Sequence, residues 1–148
     1  MAAAIKTISD ALIARLASQV ASLNSRTVST FAGSLKEFVE QGRNVPFVGV
    51  VLDKVNYVEL NSDNSIAQER LSFKLQVIAD DFRGRGYSIE SSYDLIDDIR
   101  GCLIGQNLGI EGLAPISVSE VSRDEGSEKQ GLAVYMLGLE TWQVREQS

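Results

Sequence analysis

Leu71-Ser72-Phe73-Lys74-Leu75-Gln76-Val77-Ile78-Ala79-Asp80 is the stretch on which the fold turns. Leu71, Phe73, Leu75, Val77 and Ala79 alternate with Ser72, Lys74, Gln76, Ile78 and Asp80. That period of two sends one set of side chains into a core and the other to a partly wet face. No other segment reads so cleanly as a strand. Upstream, Phe47-Val48-Gly49-Val50-Val51-Leu52 follows Pro46 and has the β-branched and aromatic composition of an interior strand. Tyr57, Val58 and Leu60 either continue it or form a partner strand across a turn near Asp53 and Lys54. Between these runs, Asn61 to Ala67 is a polar, turn-rich loop.

Helical spacing brackets the strands. Ile8, Leu12, Leu16, Val20 and Leu23 recur on one face, which predicts a first helix from about Thr7 to Leu23. Thr7 or Ser9 is its expected cap, and Asp10 is expected in its first turn. Thr27 to Phe31 reads as a short extended piece. Ser34-Leu35-Lys36-Glu37 is a capping-box pattern that opens a short second helix with Leu35 and Phe38 inward and Gln41-Gly42 as its stop. A third helix starts at Ser91 or Ser92, carries Leu95, Ile96, Ile99, Leu103 and Ile104 inward, and stops at Gly105. Two further strands, Pro115 to Val121 and Leu132 to Val144, flank a charged loop from Ser122 to Gly131. No regular βαβ alternation occurs. The expected architecture is therefore α+β, a mainly antiparallel sheet with amphipathic helices packed on one face, folded as one domain over residues 1–148.

Composition narrows the chemistry. The chain has 148 residues, no histidine, a single cysteine and a formal charge of -6. Without histidine there is no Ser-His-Asp or Cys-His nucleophile and no histidine-ligated zinc, and one cysteine forms neither an intrachain disulfide nor a cysteine-only zinc site. The acidic balance disfavours a groove that grips many phosphates, so sequence-specific nucleic-acid binding is not expected. No apolar run is long enough for a membrane helix and no signal-type segment is visible. A soluble, intracellular protein without catalytic activity or cofactors is the expectation.

Few residues suggest a site. Asp94 and Asp98 share a helix face near Asp97, so they are either flanks for a divalent ion or the helix's solvated side. Asp80-Asp81 reads as a turn pair or a second carboxylate site, which keeps a carboxylate-dependent enzyme as an alternative. Arg83-Gly84-Arg85-Gly86-Tyr87 lacks the context of a phosphate loop and fits a subunit contact better than an anion site. Cys102 lies beside the apolar stripe and reads as a small hydrophobe rather than a nucleophile. Trp142, near the end of the last strand, either closes the core edge or anchors a neighbouring subunit.

Val45-Pro46-Phe47-Val48-Gly49-Val50, the alternating strand from Phe73 to Val77, and above all Tyr93-Asp94-Leu95-Ile96-Asp97-Asp98-Ile99-Arg100-Gly101-Cys102-Leu103-Ile104-Gly105 resemble the Mu-like phage tail protein family that includes tail terminators. The resemblance runs over most of the chain. It implies a non-enzymatic virion protein that closes into a ring, a hexamer in terminators, on the last ring of the tail tube. Such a ring halts tube polymerisation and presents a surface for head joining. The implied partners are other copies of the chain, the tail tube protein and head-tail connector proteins. The implied places are the virion tail and, during assembly, the host cytoplasm. A head-tail joining or other tail-completion adaptor is the alternative within the same resemblance. For the ring contacts, Arg83 and Arg85 are the expected basic side and Asp124, Glu125 and Glu128 the acidic side, with Trp142 as an apolar anchor. If DNA passes through the ring, the net negative charge is expected to keep the duplex from sticking.

Overall fold

The computed structural model describes residues 2–31, 35–41, 45–63, 65–80, 85–124 and 132–146. Its elements are α1 (Ile5–Gln19), β1 (Val28–Thr30), α2 (Leu35–Glu40), β2 (Phe47–Glu59), β3 (Ile66–Asp80), α3 (Arg85–Leu103), β4 (Ser117–Asp124) and β5 (Leu132–Glu146). They build a five-stranded sheet in the order β1-β2-β3-β5-β4, antiparallel except for the short β1-β2 pair. The expected α+β class is what forms.

The period-two stretch does what its spacing requires. Leu71, Phe73, Leu75 and Val77 point to the face covered by α1 and α3, where they meet Ile8, Leu12 and Leu16 of α1 and Ile99 and Leu103 of α3. A fully buried side chain of this size contributes about 1.5–3 kcal/mol, so this layer dominates stability. Ile78, on the opposite face, is also buried. It joins Phe31, Phe38, Phe47 and Val134 in a second, smaller cluster, so α2 adds a patch of core on the other side of the sheet. Phe47 sits within 5.1 Å of Phe38 and 5.7 Å of Phe31 between ring centroids, in the tilted and edge-on geometries that aromatic pairs favour. Gly49 is required there, because a Cβ would come within 2.9 Å of the Phe31 carbonyl oxygen.

Several expected boundaries move, each for a physical reason. α1 begins at Ile5, not Thr7, and has no side-chain cap; tertiary hydrogen bonds to Ala3 hold its entry instead. Asp10 consequently lies past the first turn, where it pairs with Lys6 at 2.8 Å. The helix stops at Gln19, although Val20 and Leu23 remain buried, so the apolar stripe outlasts the helix that was inferred from it. β2 does continue through Tyr57 and Val58, across an irregularity between Leu52 and Lys54 that shifts its alternation by one residue. β3 starts at Ile66, inside the segment expected as loop, and α3 starts at Arg85 rather than Ser91 or Ser92. Gly86 falls in the first turn of α3, where a poor helix former costs less than in the interior. Gly105 ends that helix with φ +80°, as expected of a glycine past a helix terminus. β4 runs from Ser117 to Asp124, beginning and ending later than expected, and pairs with β5.

Candidate functional site

The sheet divides along its length. At the end holding Phe47 and Ile78 both faces are covered. At the other end, α1 and the N-terminal residues cover one face while the opposite face is open. The strand register sets out that open face in three cross-strand rows: Lys54, Ser72, Glu140 and Ser117; Asn56, Arg70 and Trp142; and Val58, Gln68 and Val144. Lys54, Arg70 and Trp142 line a trough of about 390 Å³ there. Arg70 donates from Nε to Gln68 Oε1 at 2.7 Å, which holds its guanidinium along the strand. Neither Lys54 nor Arg70 has an ion-pair partner among the described residues, whereas the neighbouring Lys74 lies 3.8 Å from Asp53.

Trp142 is 43% exposed and belongs to neither core cluster. The reading in which it closes the core edge is therefore corrected: its position in β5 has the parity of the open face, opposite to Leu137 and Leu139. Val58 and Val144 are exposed in the next row of the same open face, adding apolar surface beside the trough and its cationic side chains. An amphipathic surface of this kind is common where another protein docks.

Directly behind the trough, the covered face contains a polar network that the sequence reading missed. Glu69 is 2% exposed and Gln143 is 1% exposed. Gln143 Nε2 donates to Glu69 Oε1 at 2.8 Å, Arg145 Nε lies 2.9 Å from Glu69 Oε2 as an ion pair without hydrogen-bond alignment, and Tyr57 hydrogen-bonds the same carboxylate. That hydrogen bond, helped by burial and by the charge of Glu69, raises the Tyr57 hydroxyl above its ordinary pKa. Gln143 also clamps the backbone of Ala3 from both sides, accepting from its amide at 2.9 Å and donating to its carbonyl at 2.8 Å, and Arg145 Nη2 donates to the same carbonyl. A buried carboxylate is tolerated because its oxygens are engaged. The signal was present in parity: Glu69 shares the inward phase of Leu71 and Phe73, and Gln143 that of Leu137 and Leu139.

Arg85 opens α3 and Asp124 closes β4, so the backbone puts Arg85 on a helix and not in a loop; their side chains, and all of Arg83, Glu125 and Glu128, lie outside the described residues. Asp94, Asp97 and Asp98 are exposed on α3, and Asp97 pairs with Arg100. Among the described residues no three acidic or thiol groups gather as metal ligands. Asp81 lies outside the described residues, as does the side chain of Asp80. Cys102 is half-buried against the main core, and burial raises its thiol pKa; Arg15, which lowers it, is the weaker influence. Arg15 instead caps the end of α3, donating from Nε to the Cys102 carbonyl at 2.7 Å.

These features define an α+β fold whose mostly antiparallel sheet is packed by two helices on one face and left partly open on the other. No protein family and no curated protein matches the chain. Among solved structures, a chain of the virion of a native gene transfer agent (GTA) particle is similar to it with a TM-score of 0.53, over 97% of this chain and 100% of that one, at 15% sequence identity. At that identity the likeness establishes a shared fold.

Proposed function

We propose that this chain is a structural subunit of a phage-like particle and that, within it, the chain acts as a tail terminator. Copies close into a ring, hexameric by the family resemblance, on the last ring of the tail tube. The ring stops polymerisation and presents its other side to the head-tail connector. The observation that carries the reading is the end-to-end correspondence with a chain of the GTA virion, with neither chain left substantially unmatched.

The two unlike sides of the sheet support it. A closed ring needs heterologous contacts, in which one patch on each subunit meets a different patch on the next. A subunit whose two sides differ chemically suits that requirement. The action proposed is binding without catalysis or cofactor: the chain has no histidine, and burial raises the pKa of the Cys102 thiol. The chain would work in the particle tail, after assembly in the host cytoplasm.

Deleting the gene and imaging the particles tests the reading. Tail tubes that overrun their normal length and carry no heads are the expected outcome. Tails of normal length without heads would reassign the chain to head-tail joining. Intact, normally joined particles would end both readings.

A further inference from the structure

We infer that in the assembled ring the outer face of α3 in one copy seats on the open trough of the next copy. This rests on the ring-forming role proposed above and assigns its contact. The two patches lie on opposite sides of the sheet, since α3 packs on the face of Leu71 and Leu75 while Lys54, Arg70 and Trp142 occupy the other. A contact between them is therefore head-to-tail, leaves one free patch at each end of any chain of subunits, and ends only when the ring closes.

Their chemistries complement each other. The trough offers Lys54 and Arg70 against one carboxylate, Glu140, and neither cation is ion-paired among the described residues. On α3, Tyr93, Asp94, Asp97, Asp98 and Gly101 are all exposed, and helical spacing gathers them on one side of the cylinder, with Ile104 exposed in the turn that follows. Asp94 and Asp98, one turn apart, have no cationic partner among the described residues, while Asp97 is held by Arg100. Both patches add apolar surface: Trp142 in the trough with Val58 and Val144 beside it, and Tyr93 (54% exposed) on the helix with Ile104 (52% exposed) in the turn just past its end. Between the acids and Ile104, Gly101 leaves open the space a Cβ would fill, with nothing but the adjoining backbone of its own helix within 4 Å. A helix face that is bare at its centre permits close approach of another backbone, and its own fold supplies no contact that explains the glycine.

Charge exchange in the full-length chain tests the contact, with sedimentation measuring association and the emission of Trp142, the chain's one tryptophan, reporting burial of the trough. K54E with R70E is expected to weaken association at least about tenfold, as is D94K with D98K, and all four together to restore it to within about threefold of the parent. Gly101→Tyr occupies space that is open in the single subunit, so it should unfold at the parent temperature yet fail to associate. Charge variants that associate like the parent, or a fourfold variant as weak as either pair, overturn this contact and leave the ring intact. A parent chain that stays monomeric both alone at high concentration and on purified tails overturns the contact and the ring together.

Discussion

Strands β2, β3 and β5 run through two environments, and the two ends of the sheet are built on different physics. At the end of Phe47, Leu75, Ile78 and Val134, both faces are closed by apolar side chains. At the end of Tyr57, Glu69, Trp142 and Gln143, one face is held by a buried polar network and the other is open. The lesson is that a continuous ladder of backbone hydrogen bonds does not need a continuous apolar core. A carboxylate with both oxygens engaged can hold the covered side of a sheet whose other side is left for binding.

Three substitutions separate the two ends, in decreasing order of their expected effect on stability. Phe47→Ala removes a fully buried ring from the three-phenylalanine cluster and should cost about 3–5 kcal/mol in denaturant unfolding. A loss below about 1 kcal/mol would mean that the second cluster does not carry that end of the sheet. Glu69→Ala strands Gln143 and Arg145 and should cost about 2–3 kcal/mol, toward the low side for a broken buried pair because Arg145 is one-third exposed. Replacing Glu69, Gln143 and Arg145 together by apolar residues of similar size should recover most of that loss, and failure to recover it would show that the network contributes through more than mutual satisfaction. Trp142→Ala should change folding stability by no more than about 0.5 kcal/mol, since the ring packs in neither core, while abolishing assembly of tails of defined length. A large loss of stability with assembly preserved would move Trp142 back to the core side.

The same contrast marks what was legible in the sequence. The apolar end declared itself through period: alternation from Leu71 to Ala79 and helical spacing from Ile8 to Leu16 are direct imprints of burial. The polar end did not. Glu69 and Gln143 are charged or polar residues in inward phase, and local reading assigns such residues to solvent unless a partner far along the chain is known. Their partners are Tyr57, Arg145 and the backbone of Ala3, brought together only by the register of three strands. The start of α1 was misplaced for the same reason, because its entry is held from β5 and not by a local cap. Trp142 stood out as a candidate, but its face became decidable only once β5 was paired with β3. The trough was not legible at all: Lys54, Arg70 and Trp142 are remote in sequence, and no local pattern joins them.

The clamp of Gln143 on Ala3 spans 140 positions of the chain, and its strand, β5, is inserted between β3 and β4. A ribosome-bound chain that lacks this strand has neither a completed sheet nor an anchored amino-terminal helix, so β3 and β4 each wait with an unpaired edge. Native docking is thus deferred until β5 has emerged, and so many sequence-distant pairings favour slow closure. Until then those edges are sites for mispairing with other nascent chains, which makes yield sensitive to expression rate and temperature.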